Sequence, residues 1–237
     1  MKKTLGIIGG LGPMASAQFM ELLTAMTAAD TDQAHIEAIL WSRPSTPDRT
    51  AFLLGRSQED PFPAMCETGQ RLEALGAEVL AIPCMTAHSF YDRLRAAFKA
   101  ELLNPITGCA ELLARHGKKK VGIMATDGTL EVGLFQRALT DAGITPVTPD
   151  ENNQREVMRM IYDQVKSGKA VDLEAFHAVA HSMRVQGAQC IILGCTELSV
   201  IKQTLEIGAG FLDAMEVLAA MAVTACGYET KSGELLT

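Results

Sequence analysis

Two short stretches place a thiol where an apolar run ends and a helix begins: "VLAIPCMTAHSF" (79–90), with Cys84, and "CIILGCTELSVI" (190–201), with Cys195. A helix N-terminus lowers a thiol pKa and favours the thiolate. Each cysteine is also followed closely by a threonine, Thr86 or Thr196, whose hydroxyl can cap the helix or hold a substrate oxygen. Two opposed thiols suit one reaction class in particular, the inversion of a carbon centre. One group removes a proton from one face, the other delivers a proton to the opposite face, and the two exchange states at each turnover. A cysteine hydrolase instead pairs one cysteine with a histidine. His88, four residues after Cys84, keeps that alternative open, and no histidine matches it beside Cys195.

The other four cysteines (66, 109, 190 and 226) read as buried apolar residues, and all six as reduced thiols. No CxxC pair or zinc-type spacing is present, so no metal is expected. The opening "GIIGGLGPMASA" contains Gly10-x-Gly12-x-x-Ala15, a formal dinucleotide fingerprint, but the next strand ends in Trp41-Ser42-Arg43 without the acidic residue a ribose needs. The same loop serves a helix start that receives a carboxylate. In "STPDRTAF", Arg49 is either a surface turn residue or a planar fork for a substrate carboxylate. "ATDGT" (125–129) is a glycine turn or a set of donors mirroring the first glycine loop. Lys166 reads by default as a helix-end lysine.

These residues need elements to position them. Short apolar runs alternate with amphipathic helix-length stretches, the pattern of an α/β protein with parallel strands. Strands are expected at 5–8, 36–41, 79–83, 121–124 and 190–193, with a weaker one at 145–147. Helices are expected at 14–29, 93–102, 154–166 and 173–186, and "FLDAMEVLAAMAVTACG" reads as a buried helix. "TLGIIGGLG" is echoed by "KVGIMATDG": 116 residues separate Leu5 from Val121, and 111 separate Cys84 from Cys195. The near-equal offsets predict an internal duplication. Residues 1–103 plus 208–237 would form the first domain, carrying Cys84, and 104–207 the second, carrying Cys195. The ligand would lie beyond the carboxyl ends of the strands, in one interdomain cleft with a thiol on each wall.

The 237 residues are 48% hydrophobic, enough for such cores, and the formal net charge of −7 without a basic stripe argues against a nucleic-acid partner. Gly and Pro break the N-terminal apolar run too early for a signal peptide or a membrane span, so a cytoplasmic protein is expected.

The segments "GIIGGLGPMA", "PDRT", "IPCMTAH", "GIMATDGT", "IYDQVKSGK" and "GCTEL" together resemble the cofactor-independent aspartate/glutamate racemases over nearly the whole chain. The resemblance implies two pseudo-symmetric α/β domains, no cofactor, an amino-acid substrate and a homodimer. It further implies Cys84 and Cys195 as the acid/base pair, Arg49 as receptor of the side-chain carboxylate and Lys166 as a further carboxylate contact. Thr86, Thr126, Thr129 and Thr196 would be polar lining. Met85 departs from the asparagine usual after the first cysteine. Aspartate is the expected substrate, with glutamate next. A maleate-isomerase-like enzyme or an arylmalonate-type decarboxylase is the alternative within the superfamily, and a non-catalytic amino-acid- or nucleotide-binding protein the alternative outside it. Retention of both cysteines speaks against the decarboxylases.

Overall fold

The computed structural model describes residues 1–231 and 235. The last part of the expected first domain, residues 232–234, 236 and 237, lies outside the described residues. Two four-stranded parallel sheets form, with the same strand order. In the first sheet, β1 (Leu5–Gly9) lies between β2 (Ala38–Ser42) and β3 (Val79–Ala81), and β3 also pairs with β4 (Glu101–Leu102). In the second, β5 (Lys120–Met124) lies between β6 (Thr145–Val147) and β7 (Cys190–Leu193), and β7 pairs with β8 (Phe211–Asp213). The central strands β1, β3 and β7 are buried throughout, and β5 is buried after Lys120, which is why they read as near-continuous apolar runs.

The repeat is visible at atomic contacts. A Cβ on Gly6, in β1, would meet Leu80, Ala77 and Leu72 at 2.7, 2.8 and 3.1 Å; one on Gly122, in β5, would meet Met183, Ile191 and Ala188 at 2.8, 3.0 and 3.6 Å. The pairs Leu72/Met183, Ala77/Ala188 and Leu80/Ile191 are each 111 residues apart, the spacing of Cys84 and Cys195. Glycine at both places lets a helix lie close on its sheet. The helices concerned, α3 (Phe62–Ala74) and α9 (Leu173–Val185), start and end at that same spacing.

The remaining helices are α1 (Pro13–Met26), α2 (Arg49–Leu53), α4 (Tyr91–Ala97), α5 (Pro105–Arg115), α6 (Asp127–Glu131), α7 (Leu134–Asp141), α8 (Glu151–Arg159), α10 (Thr196–Thr204) and α11 (Ala214–Ala225). Three expectations change. The helix expected at 93–102 ends at Ala97, where Phe98 turns extended (φ −110°, ψ 146°) and the chain enters β4. The helix expected at 14–29 ends at Met26, and Thr27 bridges to Thr230 instead. The segment from Phe211, read as wholly helical, begins with β8.

The last difference moves a boundary. One compact unit holds Met1–Pro105 and the return segment from Met215; the other holds Ile106–Ala214. The return was expected at residue 208, but 211–213 pair with β7 in the second sheet. After it, the Cys226 carbonyl accepts from Lys3 N–H, the Glu229 carbonyl from Ala28 N–H, and Lys231 N–H donates to Met26. Each unit has its own core, one around Met65, Leu72, Leu80 and Ile82, the other around Met160, Phe176, Met183 and Ile191. Among the described residues no helix is long and apolar enough to cross a membrane.

Candidate active site

In the first unit, the loops after β1, β2 and β3 carry the candidate groups. Gly10 has φ 88°, and a Cβ there would lie 2.3 to 2.7 Å from the Arg43–Pro44 backbone, so only glycine lets the two loops meet. Its N–H is taken by Ser16 Oγ at 2.9 Å. This donor is spent inside the loop, which counts against the phosphate-cradle reading of the glycine motif.

Asp48 caps α2, its carboxylate accepting from Ala51 N–H at 2.6 Å, and so presents Arg49 as the first residue of the helix. Arg49 is only 9% exposed, which removes the surface-turn reading. Its guanidinium donates to the Thr46 and Pro47 carbonyls at 3.3 and 2.8 Å and to the Leu11 carbonyl at 3.2 Å. It therefore ties the loop after β2 to the loop after β1.

Cys84, buried, is the N-cap residue of a 3₁₀ helix, Met85–Phe90. Met85 and Thr86 open that helix and are buried, and the Phe52 ring contacts Phe90 at 6.0 Å, joining the helix of Arg49 to the helix of Cys84. His88 does not pair with the thiol. Its Nδ1 lies 3.0 Å from the Cys84 carbonyl, an acceptor only, so Nδ1 carries the hydrogen. Burial pushes His88 down to about 4, against the opposing pull of backbone carbonyls. A neutral imidazole engaged with backbone is a core histidine, and the cysteine-hydrolase arrangement is absent at this cysteine.

In the second unit, β5 and β7 are paired neighbours, and Thr126 and Cys195 each stand two residues past the end of their strand. Thr126 caps α6: its Oγ1 accepts from Thr129 N–H at 3.3 Å and lies 3.0 Å from Thr129 Oγ1, both side chains being buried. Cys195 is the N-cap residue of α10, as Cys84 is of its 3₁₀ helix. Thr86 and Thr196 stand inside their helices rather than at the cap position. The Thr196 hydroxyl donates to Glu197 Oε2 at 3.1 Å.

The expectation of a lowered thiol pKa fails at Cys195. Burial pushes this thiol well above the usual range, the Glu197 carboxylate pushes it further, and Lys166 pulls against both. Cys195 Sγ donates to Glu197 Oε2 at 2.9 Å, and Lys166 Nζ lies 3.0 Å from Glu197 Oε1. Burial alone would raise the Glu197 carboxyl, but the Lys166 charge and the bonds from thiol and ammonium leave it lower than usual. Lys166 follows a π-helical turn, Met160–Val165, in which its N–H reaches back five residues to the Ile161 carbonyl at 3.0 Å. Such turns re-aim a side chain within a helix. Glu197 is the one contributor that the sequence reading left unnamed. A carboxylate two residues after a junction cysteine was the available signal.

The first unit thus carries Arg49, Cys84, Met85 and Thr86, and the second carries Thr126, Thr129, Lys166, Cys195 and Thr196, each on a loop or helix that follows a strand of its sheet or, for Lys166, after the π-helical turn. The sequence profile of the Asp/Glu/Hydantoin racemase family matches residues 8–222. The chain is 32% identical to the Picrophilus torridus aspartate racemase, with a TM-score of 0.83 over 97% of this chain and 96% of that one. It is 22% identical over 226 residues to the broad specificity amino-acid racemase RacX of Bacillus subtilis (strain 168), covering 93% of this chain and 96% of the relative. A glutamate racemase from Francisella tularensis, crystallised with D-glutamate, shares the fold at a TM-score of 0.68 and 16% identity, over 94% of this chain and 81% of that one.

Proposed function

Because the chain belongs to the Asp/Glu/Hydantoin racemase family and is an isomerase of the amino-acid racemase type, we propose that it inverts the α-carbon of an acidic amino acid, aspartate before glutamate, using Cys84 and Cys195 as the two proton carriers. The observation that carries this reading is the repeated placement of a buried cysteine as N-cap residue just past the third strand of each sheet, at the common spacing of the duplication. In one direction the Cys84 thiolate takes the α-proton while the Cys195 thiol gives its proton to the opposite face. One C–H and one S–H bond break, and one of each forms. Neither an electron sink nor a metal is needed for this exchange.

Arg49 supports a second carboxylate on the substrate. It is a buried cation whose fork is already oriented by three carbonyls, so a dicarboxylate meets it with little further ordering. The likeness to the Picrophilus torridus aspartate racemase favours aspartate. Proton NMR of L-aspartate, D-aspartate and L-glutamate with the enzyme in deuterated buffer tests the reading. Loss of the α-proton signal with appearance of the opposite enantiomer is expected, fastest for aspartate. Retention of the α-proton in all three would sink it.

A further inference from the structure

The two junctions differ by one buried charge. Glu197 is 6% exposed, and all its recorded partners are donors: Cys195 Sγ and Thr196 Oγ1 on Oε2, Lys166 Nζ on Oε1. An ionised carboxylate accepts and cannot donate, so the proton between sulfur and oxygen lies on sulfur. A buried carboxylate persists only when paired, and the π-helical turn delivers the pairing ammonium. Lys166 also lies over the Tyr162 ring, 5.1 Å from its centroid, which fixes the cation from a second side. The stretch after Cys84, "MTAHSF", contains no acidic residue.

We propose that Glu197 is a positioning residue that keeps Cys195 in its protonated thiol form, with the S–H directed at Oε2, and that Lys166 serves this arrangement by holding Glu197 ionised. The resting protein is then asymmetric, with Cys195 set as the acid. The consequence for catalysis rests on the racemase reading. The enantiomer whose α-proton faces Cys84 meets a protein ready for it. The other enantiomer requires the opposite form, in which Cys195 has lost its proton against the Glu197 charge and Cys84 has gained one, both by exchange with solvent, a minor state that raises the apparent KM in proportion to its rarity. Racemisation has an equilibrium constant of one, so kcat/KM is equal for the two enantiomers, and kcat must rise with KM for the disfavoured one.

Alkylation by iodoacetamide across pH, resolved by peptide mass spectrometry, reads the Cys195 proton without any substrate. The wild-type midpoint at Cys195 is expected above that of an ordinary free thiol, about 8.5. Glu197→Gln should lower it by about one unit or more, while Glu197→Asp, which keeps the charge, stays nearer the wild type; in Glu197→Gln the KM values of the two enantiomers should also converge. An unmoved or raised midpoint in folded Glu197→Gln overturns the proposal. If that variant does not fold, a wild-type midpoint at or below about 8.5 overturns it equally. A lowered midpoint in a protein that exchanges no α-proton would support this role for Glu197 while removing the racemase reading; racemisation with an unmoved midpoint would do the reverse.

Discussion

Cys84 and Cys195 occupy one backbone position twice, yet their neighbourhoods have parted. After Cys84 comes a 3₁₀ helix whose polar interior group is the neutral His88, bonded to the Cys84 carbonyl. After Cys195 comes an α-helix whose first turn holds the Glu197 carboxylate and, through it, the Lys166 ammonium. The duplication has retained what backbone packing demands, to the residue, and released what side-chain charge decides. The turn after Cys84 carries no acidic residue, and the turn after Cys195 contains an ion pair. A two-base reaction tolerates this, because its two bases need not be alike.

The comparison breaks most sharply at the sulfurs. Cys84→Ala and Cys195→Ala should each reduce racemisation in both directions by about 10³-fold or more, with little change in folding. Chiral chromatography of the product reads this, and a variant that keeps near wild-type inversion would leave a single thiol as the working group. Next is acid stability, which separates the junctions by pH window. His88 has a folded pKa near 4, lower than its unfolded 6.5, so the unfolded chain binds the extra proton and stability falls as pH drops from 6.5 to 4, by at most ~3 kcal/mol. The Glu197 carboxyl is also depressed, so its contribution is present above the unfolded value and is lost only as pH falls past it into more acid solution. Urea unfolding at steps from pH 7 to pH 4 should show the first loss, and His88→Gln, neutral throughout, should flatten it; an unchanged slope would place the proton uptake elsewhere.

A smaller effect is expected at Met85, buried at the first position of the 3₁₀ helix. An amide there offers a donor and an acceptor where the thioether offers only a weak acceptor, so Met85→Asn should raise kcat/KM for aspartate about tenfold. A fall in the folded variant would assign this turn to a different substrate. The smallest effect compares the paired glycines. Gly6→Ala would press on Ala77 Cβ and a Leu80 methyl, with Leu72 Cβ next, whereas the nearest atom to the new methyl of Gly122→Ala is the mobile end of Met183. Both should destabilise, Gly6→Ala by about 1 kcal/mol more, as read by denaturant midpoints. Equal costs would mean that the second sheet is packed as rigidly as the first.

The sequence carried the parts of this architecture that are long or repeated. The four central strands were readable because buried parallel strands are continuous apolar runs, the partly buried edge strands β2 and β6 as short apolar-rich segments, and the duplication because glycine-ended turns recur at fixed spacing. β4 and β8 were not: β4 has only two residues, and β8 runs directly into α11, so its apolar residues read as the start of that helix; only their pairing with β3 and β7 makes them strands. The π-helical turn before Lys166 has no compositional mark, and without it Lys166 reads as an ordinary helix-end lysine. The cysteines were legible from their junctions, but the protonation of Cys195 was not. A helix N-terminus argues for a thiolate, and a carboxylate 2.9 Å away, in a buried setting, argues more strongly for the thiol.

The crossing of the chain between units also bears on how such a molecule is put together. Each sheet is followed by a helix that belongs to the other unit: α5 comes after β4 but lies in the second unit, and α11 comes after β8 but lies in the first. A half-length ancestor with this habit would have lent its last helix to a twin and borrowed the twin's in return. Fusing two such genes end to end makes the loan internal and permanent. Severing the present chain after Pro105 would leave unequal heirs, one a sheet missing a helix encoded 110 residues downstream, the other bearing that helix with no sheet of its own to cover.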